Sequence, residues 1–135
     1  MSSYISKKLR ELVAERANYA CEYCLMPQSE FHHQFEPDHV RASQHGGRTK
    51  ADNLAFACFR CNRLKGPNLT SVDPLTDNVV LLFNPRTQIW SEHFVLEGAI
   101  IRPLTPERAT VSLLVLNNDE RIFERHQLIA LGLYS

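Results

Sequence analysis

The stretch that decides the fold is EPDHVRASQHGGRTKADNLAFACFRCNRLKG, residues 36–66 of the 135-residue chain. It holds an Asp38-His39 pair, Asn53 before a short apolar run, and a Cys-Phe-Arg-Cys sequence followed directly by Asn62. Acid, base and metal-ligating side chains are therefore concentrated in one short segment. Folding needs alone do not explain that concentration, so this stretch is predicted to contain a reactive site.

The same stretch predicts a strand, a turn, a second strand and a helix. Residues 31–42 are predicted to be extended, and Gly46-Gly47 supplies a turn because glycine adopts positive φ without steric cost. The helix is predicted to end at Gly66-Pro67. The remaining predicted elements are a strand over residues 54–57 and a helix over residues 59–65.

The four cysteines form two Cys-x-x-Cys pairs, Cys21/Cys24 and Cys58/Cys61, with 33 residues between them. Two such pairs are typical of a tetrahedral thiolate zinc site, in which each pair forms a turn whose sulfurs face one ion. Two disulfides are a rival interpretation, disfavoured in a cytoplasmic chain. Thioredoxin-like redox chemistry is another, but two redox pairs would be redundant. The sequence favours structural zinc.

The formal net charge is zero, yet the charges are unevenly distributed. Residues 1–70 carry ten Lys and Arg against seven Asp and Glu, whereas residues 71–135 carry five against eight. A local basic surface beside a candidate active site suits a polyphosphate substrate. The residues predicted to contact nucleic acid are Arg41, Arg48, Lys50, Arg60, Arg63 and Lys65.

Composition predicts an ordinary globular chain, since 44% of the residues are hydrophobic. No run of 18 apolar residues occurs, so no membrane partner is expected. The first residues interleave charged and apolar side chains and lack the apolar core of a signal peptide. We therefore expect one cytoplasmic domain spanning residues 1–135.

The flanking segments predict a supporting scaffold. Ile5, Leu9, Leu12 and Val13 recur at helical spacing, which predicts an amphipathic helix with one buried face over residues 4–17. Residues 68–77 are predicted to be a polar connector. Beyond it we predict strands over 79–83 and 89–96 joined by 84–86, helices over 106–116 and 119–131, and Trp90, Phe94, Leu113 and Leu116 in the core.

The side chains of the central stretch suit phosphodiester cleavage. This reaction needs a base that activates water and a divalent cation that stabilises charge on the phosphate and the leaving oxygen. His39 suits the first task, because an imidazole titrates near neutral pH. Asp38 and Asn62 offer the hard oxygens that Mg²⁺ prefers. Asn53 is placed to orient the histidine by a hydrogen bond.

The ordered pattern CxxC, DH, GG, NL and CxxCNxxKG, over about residues 20–66, resembles the HNH endonuclease family in its zinc-stapled ββα-metal form. The resemblance implies His39 as general base, Asp38 and Asn62 as ligands of the catalytic metal, and Asn53 as the residue that orients the base. Two later stretches, LFNPRTQIWSEHF and LTPERATVSLLVLN, resemble small stand-alone bacterial members of the family. The structural zinc ligands would be Cys21, Cys24, Cys58 and Cys61.

The expectation is thus an α+β protein with a ββα-metal (HNH) core over about residues 18–67, an N-terminal helix, and accessory strands and helices over 78–132. Its predicted function is a DNA endonuclease that uses Mg²⁺ or Mn²⁺ for catalysis and Zn²⁺ for structure, with RNA left open as a substrate. The alternative is a zinc-stabilised nucleic-acid-binding module with little or no cleavage activity.

Overall fold

A computed structural model describes residues 4–134 and shows a mixed α+β fold. The strands of the described chain form antiparallel pairs, β1 with β2, β3 with β4 and β5 with β6. The helices are α1 (Lys7–Arg16), α2 (Phe59–Lys65), α3 (Trp90–His93), α4 (Arg108–Leu113) and α5 (Asp119–Ala130). The strands are β1 (Glu36–His39), β2 (Leu54–Ala57), β3 (Thr70–Val72), β4 (Val79–Leu81), β5 (Phe94–Glu97) and β6 (Ile100–Pro103).

The centre of the fold is the unit formed by β1, β2 and α2. The register of the first sheet pairs Asp38 with Ala55 and His39 with Leu54. All four residues of β2 are buried, so this strand is the hydrophobic floor on which the site is built. The predicted bounds of β2 and α2 are confirmed. The first strand is shorter than predicted, because only residues 36–39 of the extended segment pair with β2.

Helix α1 begins after Ser6, whose hydroxyl accepts a hydrogen bond from the Leu9 amide and so caps the helix. Val13 is buried on its inner face, and Ile5, just before the helix, is also buried. Leu12 is 46% exposed, so its predicted place on the buried face is wrong. The helix is tied to the central unit by Arg16, whose guanidinium donates to the carbonyl of Leu54 at 2.7 Å.

The C-terminal half departs from the predicted strands. The segment over residues 89–96 is not one strand, because α3 occupies its first part and β5 its second. The predicted connector over 68–77 contains β3, which pairs with β4. The helices α4 and α5 lie within the predicted ranges 106–116 and 119–131. Asn118 caps α5 as expected, accepting a hydrogen bond from the Arg121 amide at 2.9 Å.

One hydrophobic core joins the two halves of the chain. Tyr23, beside the first cysteine pair, packs edge-on against Phe83, which packs in turn against Phe94. The indole of Trp90 donates to the carbonyl of Tyr23 at 3.0 Å. The hydroxyl of Tyr134 donates to the carbonyl of Cys24 at 2.6 Å. The C-terminal extension therefore packs against the cysteine turns and supports them.

The predicted core is confirmed for Phe94 and Leu116, which are buried, while Trp90 and Leu113 are partly buried against it. None of the helices in residues 4–134 has the length and apolar character needed to cross a membrane.

Candidate active site and zinc centre

The four cysteines converge on one buried point. Their sulfur atoms all lie within 4.8 Å of one another, and the Sγ atoms of Cys24 and Cys58 are 3.8 Å apart. A tetrahedron with Zn–S bonds of about 2.3 Å has S–S edges of roughly 3.8 Å. The donor set and the spacing of the sulfurs therefore fit a tetrahedral Zn²⁺ ion.

Local backbone hydrogen bonds build both cysteine turns. In the first turn the amide of Cys24 points at Cys21 Sγ at 3.5 Å, and in the second the amide of Cys61 points at Cys58 Sγ at 3.4 Å. The second turn is also the start of α2, where Cys58 is the capping residue. Amide hydrogens directed at sulfur stabilise thiolates, and this is the state that binds zinc.

Arg121, on α5, is a member of the zinc centre that the sequence analysis missed. Its guanidinium is buried, lies 3.9 Å from Cys58 Sγ, and is held by Glu124 at 2.7 Å and by the face of the Phe31 ring at 4.8 Å. Hydrogen bonds from the neighbouring thiols lower the pKa of Cys58. A cation therefore stands beside a sulfur whose pKa its neighbours lower.

His39 lies at the end of β1, partly exposed. Its Nε2 atom is 2.9 Å from the hydroxyl oxygen of Thr49, in the loop between β1 and β2. In the tautomer whose Nε2 donates to Thr49, Nδ1 carries the lone pair and is the basic nitrogen. Thr49 was not singled out in the sequence, since an isolated threonine in a loop carries no signal.

Asp38 is buried beneath the site. Its Oδ2 atom accepts a hydrogen bond from the Tyr23 hydroxyl at 3.2 Å and lies 3.1 Å from the ammonium of Lys65. Burial raises the pKa of Asp38, and the ammonium of Lys65 opposes that rise. Lys65 also donates to the carbonyl of His39 at 3.0 Å.

The position of Lys65 differs from the role that the sequence predicted for it. The sequence placed Lys65 among the phosphate contacts, but its side chain is only 2% exposed. Its charge is used inside the protein, where it ties α2 to both residues of the Asp38-His39 pair. In this arrangement Lys65 is a positioning residue.

Asn53 holds the loop rather than the histidine ring. Its side-chain oxygen accepts from the amide of Arg41 at 3.0 Å, and its nitrogen donates to the carbonyls of Arg41 and Arg48 at 3.0 and 2.8 Å. The direct bond to His39 that the sequence predicted is not among the contacts of residues 4–134. Asn53 closes the loop that carries Thr49, and Thr49 contacts the ring.

Glycine is required at positions 46 and 47 for two different reasons. Gly46 has φ of +83°, a conformation that favours glycine. At Gly47 the reason is space, because an added Cβ would lie 1.7 Å from the carbonyl oxygen of Arg41 and 2.9 Å from the side-chain nitrogen of Asn53. The loop backbone and Asn53 therefore leave no room for a side chain at Gly47.

Asn62 is on α2, partly buried, three residues before Lys65. Among the contacts of residues 4–134, none joins the side chain of Asn62 to Asp38 or His39, so the metal site that Asp38 and Asn62 would share stays a prediction. Asn62 also borders a groove of about 580 Å³ lined by His33, Gln34, Glu36 and Phe59.

The donor set of Asp38 and Asn62 is chemically suited to a hard divalent cation, because carboxylate and amide oxygens are such ligands and Mg²⁺ keeps several waters. The contacts to Tyr23 and Lys65 both fall on Oδ2 of Asp38 and do not use its other oxygen. The Lys65 ammonium competes with a cation at this carboxylate.

The predicted basic residues surround this site unevenly. Arg41, Arg48 and Lys50 are exposed in the loop between β1 and β2. On α2, Arg63 is exposed with its guanidinium 5.5 Å from the centre of the Phe59 ring, while Arg60 lies 3.6 Å from Glu120 of α5. The loop cations therefore face solvent next to His39, where a phosphate backbone has access.

Comparison with family models places the central unit in a known class. Residues 21–68 match the model described as HNH endonuclease, which covers both cysteine pairs, β1, β2 and α2. The matched segment, 48 of the 135 residues, is therefore similar to the HNH endonuclease family, which is a family of nucleases. Searches of curated proteins and of solved structures found no match.

Proposed function

We propose that this protein is a metal-dependent endonuclease that hydrolyses phosphodiester bonds in DNA, with His39 as the base that activates water. The observation that carries the proposal is the placement of His39 within the HNH segment. Its ring is partly exposed, oriented by Thr49 at 2.9 Å, and next in sequence to the buried carboxylate of Asp38. A base held in one orientation at an accessible strand end is what proton abstraction from water requires.

The metal chemistry is assigned to Asp38 and Asn62. A divalent cation, Mg²⁺ or Mn²⁺, supplies charge stabilisation on the phosphate and the leaving oxygen when it is bound. Asp38 would hold it through a carboxylate oxygen and Asn62 through its amide oxygen. Lys65 keeps Asp38 at a fixed position and restrains the backbone of His39, so that base and carboxylate keep a constant relative position.

The DNA contacts are assigned to the exposed cations around His39. Arg41, Arg48 and Lys50 lie on the loop that Asn53 closes, and their side chains are exposed. They would bind phosphates on one side of the reacting bond, while Arg60 and Arg63 would do so from α2. Binding through phosphates alone is independent of sequence and weakens as salt rises.

The test is cleavage of supercoiled plasmid by the zinc-loaded protein with and without Mg²⁺ or Mn²⁺. His39→Ala should lower the rate at least about 100-fold, because general-base catalysis contributes about 10²–10⁴-fold. Zinc content and thermal stability should stay unchanged, since the ring is partly exposed. His45→Ala, an exposed histidine of the same loop, is the matched control and should cleave normally. Equal cleavage by His39→Ala and the parent would refute the assignment.

The second candidate is a zinc-stabilised nucleic-acid-binding module with little cleavage, and the ion pair between Asp38 and Lys65 favours it. An ammonium 3.1 Å from the carboxylate already satisfies much of the charge that a cation would bring. This function predicts salt-dependent DNA binding without any metal-dependent product. Lys65→Met then tests this explanation. If the parent does not cleave DNA and the variant gains metal-dependent cleavage, Lys65 blocks the metal site in the parent.

A further inference from the structure

Phe59 is an unusually exposed aromatic residue for its position. All seven phenylalanines of the chain lie in the described residues, and of these only Phe59 and Phe123 are exposed, Phe59 to 69%. Phe59 stands in the first turn of α2, directly after the zinc ligand Cys58. Leaving a large apolar ring in water forfeits the free energy that burial would provide. Its exposure beside a candidate active site therefore suggests a use in binding.

Two features give the Phe59 ring a defined setting. The guanidinium of Arg63 lies 5.5 Å from the ring centre, within the range of a cation–π contact. The ring also borders the groove of about 580 Å³ that it shares with Asn62 of the same helix. Ligand pockets commonly enclose about 300–1,000 Å³. The groove thus connects an exposed aromatic face directly to a proposed metal ligand.

The polarity of the groove identifies the part of a nucleic acid that fits it. Its walls carry the amides of Gln34 and Asn62, the imidazole of His33 and the carboxylate of Glu36. Glu36 is paired with Arg10 at 2.6 Å, but its carboxylate still opposes the entry of a phosphate. Amides, imidazole and a carboxylate are hydrogen-bonding partners for the edges of bases, and an aromatic ring stacks on their faces.

We propose that this groove binds an unstacked nucleobase of the substrate, with Phe59 as the stacking surface and Arg63 holding the adjoining phosphate. The inference rests on the proposed function, since it uses the same nucleic acid. It assigns a substrate preference to the nuclease: single-stranded DNA, or duplex with an unpaired base, is favoured over a perfect duplex, because only there is a base free to enter.

Binding is measured in the His39→Ala background, in which the bound DNA stays intact, with an oligonucleotide that carries one 2-aminopurine as a fluorescent base. Its fluorescence should rise on binding, because stacking on neighbouring bases quenches 2-aminopurine and entry into the groove removes it from them. Phe59→Ala should abolish the rise and weaken single-strand binding about 10-fold or more, whereas perfect-duplex binding should change less than about 3-fold. Phe59→Trp should restore the affinity.

Phe123→Ala is the matched control, because Phe123 is 63% exposed on α5 and does not line the groove. It should behave as the parent. An unchanged fluorescence rise and affinity in Phe59→Ala, or a failure of the His39→Ala protein to bind the single strand, would overturn the inference. Equal losses for single strand and duplex would also overturn it, because they would indicate a general contact instead of a base site.

Plasmid cleavage by the protein with His39 intact separates this inference from the proposed function. If the parent cleaves plasmid and Phe59→Ala binds DNA as the parent does, the base site is refuted and the nuclease assignment stands. If the fluorescence rise depends on Phe59 but no metal-dependent cleavage occurs, the nuclease assignment is refuted and the protein is a base-binding module.

Discussion

The four-cysteine zinc centre and the proposed catalytic face, formed by Asp38, His39 and Asn62, use the same short elements but are organised in different ways. Cys58 and Cys61 lie at the start of α2, and Asn62 follows them on the same helix. The four sulfurs converge on one point, where a single ion would bind all of them. On the proposed catalytic face, by contrast, Asp38 and His39 are each held by a residue that is not itself a predicted metal ligand or base, Lys65 and Thr49.

This difference shows which parts of a site a motif describes. A zinc site is complete once its ligands meet, so ligand spacing describes it almost fully. A catalytic face also depends on the charge and hydrogen bonds around each group, and those come from several elements. Variants that disturb one of the two regions and spare the other test that contrast.

Removal of zinc should disrupt both regions. Cys58→Ser takes away one predicted zinc ligand while its hydroxyl can still cap α2, and structural zinc sites contribute apparent binding free energies of about 10–16 kcal/mol in small domains. The variant should lack a cooperative thermal transition and bound zinc, and chelation of the parent should do the same. Added zinc should restore the parent. A chelated protein that keeps its melting temperature would show that the core folds without the ion.

Loss of the Lys65 ammonium should destabilise the catalytic face from within. Lys65→Met leaves the buried Asp38 without its cation, and breaking a buried ion pair costs about 3–5 kcal/mol. Urea unfolding of the zinc-loaded protein measures this cost. The double variant Lys65→Met/Asp38→Asn should recover much of it, because no unpaired charge remains.

Lys50→Met is the matched control, since Lys50 is exposed on the loop. It should weaken DNA binding and leave stability unchanged. The opposite pattern for Lys65→Met, normal stability with weakened DNA binding, would favour the phosphate contact that the sequence predicted.

Replacement of Arg121 should affect the zinc centre alone. Arg121→Met removes the guanidinium beside Cys58 Sγ, and outer contacts of this kind change metal affinity by about 10–100-fold. Competition with a zinc chelator should show that loss. Arg102→Met, which removes an exposed pair with Glu97 at 2.7 Å, is the control and should bind zinc as the parent does. Equal zinc affinity in both variants would show that Arg121 contributes packing and does not raise the affinity for zinc.

The smallest expected effect concerns the loop. Asn53→Ala removes three hydrogen bonds to the backbone of Arg41 and Arg48, and because the loop is partly exposed the cost should be about 1 kcal/mol. Cleavage should fall more than stability does, since Thr49 loses its fixed position beside His39. Asn53→Asp keeps the acceptor and should fall between the parent and Asn53→Ala. If the cleavage rate falls only as far as the loss of stability explains, Asn53 does not help to orient the base.

Prediction from the sequence succeeded where a local pattern limits the structure. The strand over 54–57 and the helix over 59–65 are bounded by Asn53, Cys58 and Gly66, and the structure has them there. It failed over residues 89–96, where three polar residues, Ser91 to His93, separate two short apolar segments. Tertiary packing decides the local structure of this segment, because the indole of Trp90 donates to the carbonyl of Tyr23 from the helical turn α3.

By itself the sequence determined the resemblance to the HNH family, the four cysteines that could hold one metal ion, and the central strand, turn, strand and helix, because cysteine spacing and glycine positions are local constraints. Only the tertiary structure decided that Lys65 is buried against Asp38, that Thr49 contacts His39, and that Arg121 lies beside Cys58. Each of these contacts joins residues from different elements. Their existence depends on how those elements pack, and no spacing along the chain expresses that.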